Sequence, residues 1–345
     1  MLNDSVEEIR KQAEASDRTT VYIAVFGQPG AGKSSLVNAI IGRPVAKVGV
    51  ENDVTGESLH YEWNKLYLTD LPGYGTVKFP KETYAEKFEI AKYDLFMCVT
   101  DDKLKEDDVE FFKDLAQMGK RCVFVRNKID ALYEPESTDA QLRDRIVKNF
   151  ESQIGHSVRV TFTSCKTKEG LADLNNAIEE ALFGVKRDRF LRSAAAYSKE
   201  FLDKKKEASQ KYAWFAASGA ALGNMVPIPG AGFAADIAAV ISAMNQIKSD
   251  FQLTEARLDS YARALPGLAP IIRNIIEYAS KQGAILVLRG IGSAAAAAEA
   301  AKWIPIIGTV TAGAISLVAV RLVLEKYIDD CYQVAEEALR ANLNF

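Results

Sequence analysis

The chain has 345 residues, 48% of them apolar, and a formal net charge of −3. That leaves room for two ordinary cores and excludes whole-molecule attraction to nucleic acid. Four cysteines far apart in sequence (Cys98, Cys122, Cys165, Cys331) and only two histidines argue against zinc sites and histidine-based triads, and suit a reducing compartment.

The chain opens on MLNDSVEEIRKQ, a charged stretch with neither a secretory apolar core nor the Met-Gly of a myristoylation signal. Val21–Phe26 is a β-branched and aromatic run, which predicts a buried strand, and Ser34–Ile41 has helical periodicity. Between them lies Gly27-x-x-x-x-Gly32-Lys33-Ser34. Gly27, Gly30, Ala31 and Gly32 let successive backbone N–H groups curl around phosphate oxygens, helped by the positive end of the following helix. Lys33 would reach the β- and γ-phosphates, Ser34 would offer its hydroxyl to Mg²⁺, and Ser35 belongs to the same nucleotide-binding set.

VENDVTGES (50–58) has no strong pattern and reads as a mobile switch, in which Thr55 completes the Mg²⁺ shell. KLYLTDLPG (65–73) alternates into a strand ending at Asp70, which would hold the metal through water, while Gly73 would offer its N–H to the γ-phosphate. The next position is Tyr74, where the Ras-type pattern has a glutamine that orients the attacking water. Tyrosine has no amide for that task.

YDLFMCVTD (93–101) predicts a strand, and EDDVEFFKDLAQM (106–118) an amphipathic helix with Val109, Phe112, Leu115 and Ala116 on one face. RCVFVRNKID (121–130) is another buried strand, ending in Asn127, Lys128, Ile129 and Asp130. A carboxylate at Asp130 accepts from two N–H donors on guanine, whereas adenine presents a mismatched edge. Asn127 would brace the loop and Lys128 would lie along the ring plane. Two more amphipathic helices, TDAQLRDRIVKNFESQI (138–154) and GLADLNNAIEEAL (170–182), flank a last strand that runs into Ser164, Cys165 and Lys166, with the Cys165 N–H approaching the guanine carbonyl. The alternation predicts an α/β P-loop, Ras-like G domain with a doubly wound, mostly parallel sheet over 19–186, its ligand beyond the carboxyl ends of the strands.

From residue 187 strands vanish. Residues 1–186 carry −6 and residues 187–345 carry +3. KRDRFLRSAAAYSKEFLDKKK (186–206) predicts basic helix, facing either lipid headgroups or solvent. Tyr212 to Ala235 has no charge for 24 residues, but Pro227, Pro229 and four glycines break it, so two helices meeting at a VPIPGAG corner are expected. DIAAVISAMNQIKSDF (236–251) carries an apolar stripe of Ile237, Val240, Ile241, Met244 and Ile247, and a second uncharged run, Trp303 to Val320, repeats the Pro-Ile-x-Gly corner at Pro305–Gly308. Two readings stand: a buried all-α core, or hairpins that insert in or lie on a membrane.

GQPGAGKSSLVNAIIG, DVT, DLPGYGT and NKID, followed by VPIPGAGFAADIAAV and IPIIGTVTAGAISL, resemble the immunity-related GTPases, the interferon-inducible p47-type, dynamin-like family, over nearly the whole chain. The lysine of GAGKS resembles the GKS subclass. The resemblance implies a helical domain built from residues 1–18 and 187–345 beside the G domain. It also implies GTP and GDP binding, GTP hydrolysis completed across a homodimer of nucleotide faces, and a cytoplasmic protein peripherally or partly associated with membrane lipid. It further implies a role in turnover for an acidic switch residue two before the metal threonine. Here that residue is Asp53, one methylene shorter than the family's glutamate. DNA and RNA are not expected partners, the helical half being only +3 without an RNA-binding signature. The competing readings are a bacterial assembly GTPase acting on RNA and a nucleotide-gated interaction module with negligible turnover.

Overall fold

The computed structural model describes residues 18–46, 58–223, 232–280, 282–283 and 312–343. The expected N-terminal helix over 1–18, apart from Arg18, the switch residues Asp53 and Thr55, and the corners at Pro227–Gly230 and Pro305–Gly308 lie outside the described residues.

Six strands form one sheet: β1 (Val21–Gly27), β2 (Leu59–Trp63), β3 (Leu66–Asp70), β4 (Leu95–Thr100), β5 (Cys122–Arg126) and β6 (Val160–Phe162), in the order β2-β3-β1-β4-β5-β6. Five are parallel and β2 alone runs antiparallel, paired to β3. Every residue of β4 is buried, as its unbroken apolar run requires of a strand covered on both faces. The edge strand β2 is not among the sequence expectations. LHYEW is largely exposed, so its alternation is short and interrupted by charge, and its hairpin turns on Asn64 and Lys65, both at positive φ (52° and 64°), without the glycine that usually marks such a turn.

Helices α1 (Lys33–Ile41), α2 (Lys81–Lys87), α3 (Glu106–Gln117), α4 (Asp139–Ile154), α5 (Leu171–Ala181) and α6 (Gly184–Ser193) connect and cover the strands. A capping box of Thr138 and Gln141 starts α4. On α3 the buried apolar residues are Val109, Phe111, Phe112 and Leu115. Ala116, expected on that face, is exposed, and the larger Phe111 fills the wedge against Phe26, Tyr84 and Phe96 at centroid distances of 4.8, 5.2 and 6.2 Å.

The backbone divides into two compact units, Thr20–Phe201 and the residues from Leu202 onward. The boundary lies past Lys186 because α6 packs on β1 and β3, and because the segment after it is tied to the sheet unit. Ser193 Oγ donates to Asn64 O (2.7 Å), Ala195 N to Ile40 O (2.9 Å) and Tyr197 OH to Ala39 O (2.7 Å). The basic stretch is therefore split between α6 and α7 (Lys199–Gly223), and Arg189 and Arg192 face neither lipid nor water but are buried.

The second unit holds the rest of α7 with α8 (Gly232–Asp250), α9 (Glu255–Ala264), α10 (Ala269–Tyr278) and α11 (Ala312–Arg340). Val240, Met244 and Ile247 of the predicted stripe are buried, as are Ile272 and Ile275 of α10 and Val323, Leu324, Tyr327 and Ile328 of α11. The Tyr327 hydroxyl donates to Ile275 O (2.9 Å), and Lys205 Nζ to Asp250 O (2.8 Å), so the buried polar groups are spent on helix-end carbonyls. Among the described residues no helix is long and apolar enough to cross a membrane.

Gly170 sets the entry to α5. Its φ is +70°, and a Cβ would lie 1.8 Å from Phe162 O in β6. Gly170→Ala should therefore cost about 3 kcal/mol, read as the urea midpoint of the purified protein; a midpoint matching the parent would refute the close approach.

Candidate functional site

Five parallel strands deliver their carboxyl ends to one rim, where the predicted motifs converge. The loop after β1 turns back on itself between Gly27 and Lys33. A Cβ on Gly27 would stand 2.0 Å from Val99 O in β4, and one on Gly32 would stand 2.4 Å from Asn127 Nδ2. Both glycines have positive φ (130° and 87°), so only a residue without a side chain fits there. Gly30 is also at positive φ, and Ala31 is fully buried and donates from its N–H to Gln28 O (3.2 Å).

Gly32 is the N-cap of α1 and no side chain caps the helix. The first-turn N–H groups therefore aim into the loop, an arrangement suited to an anion. Ser34 and Ser35 sit half-buried in that turn. Lys33 folds over the loop, its Nζ donating to Gly27 O and Gln28 O (3.2 Å each) and lying 3.8 Å from Asp70 Oδ1. Asp70 ends β3 in register with Val25 of β1 and is 3% exposed. The Ser34 hydroxyl and Asp70 carboxylate are hard oxygens at the phosphate end of the rim, and they fit a magnesium ion that keeps most of its shell as water and phosphate oxygen. Thr55, the third expected ligand, lies outside the described residues, as does Asp53.

Gly73 opens the loop beyond β3, near Thr76, whose Oγ1 donates back to Gly73 O (3.3 Å). Tyr74 turns away from the rim. Its ring is buried, stacked on Phe111 (4.7 Å between centroids, 25°) and edge-on to Tyr84 (5.0 Å), and its hydroxyl donates to the Asp114 carboxylate. The Tyr84 hydroxyl in turn donates to Pro72 O (2.5 Å). Burial, followed by the Asp114 contact, pushes the Tyr74 phenol far above its ordinary pKa, so it stays a neutral donor.

The other end of the rim is organised by Asn127, 2% exposed. Its Nδ2 donates to Ala31 O (2.9 Å) in the phosphate loop, and its Oδ1 accepts from Thr163 Oγ1 (3.0 Å) after β6 and from Cys165 Sγ (3.8 Å). Lys128 takes the left-handed conformation (φ 57°), and its Nζ donates to Asp101 Oδ2 (2.8 Å). Asp130 lies on the 3-10 turn Ile129–Ala131, its Oδ1 accepting from Ser164 Oγ (2.6 Å), with Lys166 Nζ 4.0 Å from its other oxygen. The Ser164 hydrogen bond holds the Asp130 carboxyl below its ordinary pKa. Burial pushes the Cys165 thiol up to about 11, so what this residue can offer a ligand is its backbone N–H.

The structure thus brings Gly27, Gly30, Ala31, Gly32, Lys33, Ser34, Ser35, Asp70, Asn127, Lys128, Asp130, Ser164, Cys165 and Lys166 to one rim, with Gly73 in the loop that leaves Asp70. Sequence reasoning missed Gln28, Thr163, Asp101 and Asp108, which hold these groups in place. Gln28 alone carried a signal, a long polar side chain inside a motif of small residues.

A family model described as interferon-inducible GTPase matches residues 1–274. Interferon-inducible GTPase 5 from Bos taurus is 26% identical over 99% of this chain and 79% of its own length. Interferon-inducible GTPase 1 from Mus musculus is 24% identical over 76% of this chain and 68% of its own. A probable GTP-binding protein EngB from Petrotoga mobilis is 34% identical over 46% of this chain and 85% of its own.

Removing the Ser164 hydroxyl should release Asp130. A folded-state pKa below the ordinary value keeps the carboxylate charged to lower pH, so Ser164→Ala should move the Asp130 titration upward. Carboxyl-carbon NMR of the side chain reads this directly, and an unmoved titration would mean that the hydroxyl does not hold the charge.

Proposed function

The chain belongs to the interferon-inducible GTPase family and is a GTP-hydrolysing enzyme. From that premise we propose that it holds GTP or GDP along the rim from Gly27 to Lys166 and completes hydrolysis when two copies meet at their nucleotide faces. The observation that carries the reading is the Asn127 side chain. One buried amide joins the phosphate loop to the segment that carries Ser164, so the two ends of a bound nucleotide are gripped by a single rigid framework.

In this reading Lys33 exchanges the carbonyls of Gly27 and Gln28 for β- and γ-phosphate oxygens, and the loop N–H groups and the first turn of α1 supply the remaining donors. Ser34, Asp70 and Thr55 would hold Mg²⁺, which would supply positive charge against the charge that develops on the phosphates. Gly73 offers its N–H to the γ-phosphate. Asp130 reads the guanine edge, Lys128 flanks the ring and the Cys165 N–H meets the carbonyl oxygen.

The need for a second copy is supported by Tyr74. The position that would orient water is turned inward and hydrogen-bonded to Asp114. Completing the charge in trans is worth about 10³–10⁵ in rate, or about 4–7 kcal/mol of barrier. Asp53 is the switch carboxylate we assign to that stimulated step. The uncharged runs at 212–235 and 303–320, with the positive balance of the second half, support a cytoplasmic protein whose helical unit associates with a membrane and couples it to turnover.

Turnover per molecule should rise at least tenfold from dilute to concentrated protein. A specific activity flat across that range would instead identify a slow, nucleotide-gated module. Independently, Asp130→Asn should shift preference from guanine to xanthine nucleotides, measured as competing affinities; unaltered guanine selectivity would refute the base assignment.

A further inference from the structure

Helix α3 carries no residue of the expected nucleotide-binding motifs, yet two of its acidic side chains are committed to loops that do, and a third to the helix that follows one of them. Gln28 Nε2, in the phosphate loop, donates to Asp108 Oδ2 at 2.5 Å. Tyr74, in the loop after Asp70, donates its hydroxyl to Asp114. Lys81, at the start of α2, is bonded to Glu110. Between Asp108 and Asp114 on the helix, Phe111 is wedged against Phe26, which precedes Gly27, and against the Tyr74 ring. One rigid helix thus touches both phosphate-facing loops by a hydrogen bond, and Phe111 adds a stacked contact to Tyr74 and an edge-on contact to the end of β1 from which the first loop springs.

The Asp108 contact is costly to build. Asp108 is 9% exposed, and burial raises its pKa while the Gln28 hydrogen bond opposes the rise. A hydrophobic or small side chain would suffice if the position served packing alone. On the loop side Gln28 is the residue whose carbonyl accepts from both Ala31 N and Lys33 Nζ, so tethering its side chain fixes the turn from which those donors spring.

We propose that Asp108 and Asp114 are positioning residues: through Gln28 and Tyr74 they hold the phosphate loop and the Gly73 loop in register on α3. Tyr74 therefore occupies the glutamine position as an anchor for the loop backbone, with no part in orienting water. The two tethers should differ in what they control. The Gln28–Asp108 pair bears on the loop that grips every nucleotide, so its loss should weaken GDP and GTP alike. The Tyr74–Asp114 pair bears on the loop that offers Gly73 to the γ-phosphate, so its loss should act on turnover and leave GDP binding unchanged.

The proposal rests on the nucleotide-site reading above, and Lys33→Ala in the full chain serves as the control for that reading. With fluorescent GDP and GTP as probes, Gln28→Ala and Asp108→Ala should each weaken both nucleotides about tenfold, the loss expected of a hydrogen bond to a charged group. The double variant should lose little more than either single one, because both remove the same contact. Asp108→Asn, which keeps an acceptor oxygen, should recover most of the affinity. Tyr74→Phe, which keeps the ring stack, should lower kcat about threefold to tenfold with KM for GTP and the GDP affinity within twofold of the parent. Additive losses in the Gln28 and Asp108 pair, or parent-like kcat in Tyr74→Phe, would overturn the proposal if Lys33→Ala abolishes binding. Intact GTP binding by Lys33→Ala would overturn the nucleotide-site reading itself. A fall in melting temperature of the nucleotide-free variants without change in affinity or kcat would reduce the tethers to scaffolding and also overturn the proposal.

Discussion

The rim depends on one buried carboxamide. Asn127 must present its N–H to Ala31 O and its oxygen to Thr163 at the same time, and both partners come from loops far away in sequence. A buried polar group left unmatched costs about 1–3 kcal/mol, so the three segments are locked to one mutual arrangement. Gly32 is part of the same constraint. The amide occupies the space a Cβ would need, and the loop can close over it only with a glycine there. The phosphate end and the base end are thus parts of one hydrogen-bonded body and not separate sites that happen to be neighbours.

The same economy governs the aromatic cluster beneath the rim. Tyr74, Tyr84, Phe26 and Phe111 pack in stacked and edge-on pairs, and the two phenol hydroxyls find Asp114 and Pro72 O. A glutamine at position 74 would place a flexible polar side chain beside the γ-phosphate. A tyrosine there gains a buried ring and a fixed donor instead. The loop becomes well anchored at the expense of a water-orienting group, which is the trade expected of an enzyme that receives part of its catalytic apparatus from outside.

Much of this was legible in the sequence because the chemistry demands particular residues at particular spacings. Gly27 to Ser34, Asp70 and Asn127 to Asp130 follow buried strands whose apolar runs are unambiguous, so motif and secondary structure reinforce each other. Ser164 was legible as a neighbour of the base, but its hydrogen bond to Asp130 exists only once β5 and β6 lie side by side. The partners Gln28–Asp108 and Tyr74–Asp114 are 80 and 40 residues apart, and nothing local in either segment announces the pairing. Strand β2 escaped because an edge strand buries too little to show a clean alternation. Arg189 and Arg192 misled for the opposite reason, since composition alone reads a basic stretch as surface.

The placement of acids on α3 bears on how the site can work. Asp107, Asp108, Glu110 and Asp114 would together repel a triphosphate, while Asp107 and Asp108, in the first turn of the helix, also complement its dipole. The structure answers three of them locally: Gln28 for Asp108, Lys81 for Glu110 and the Tyr74 hydroxyl for Asp114. Each of those donors is thereby committed to an α3 carboxylate. Among the described residues, what remains at the phosphate end of the rim is Lys33, held by the carbonyls of Gly27 and Gln28, and the N–H groups of the loop and α1, groups suited to binding charge in the substrate and in the transition state alike. Groups that bind substrate and transition state equally do not lower the barrier between them. The proposed meeting of two copies would add stabilisation that arrives with the transition state, because a partner brought against the rim would also exclude water.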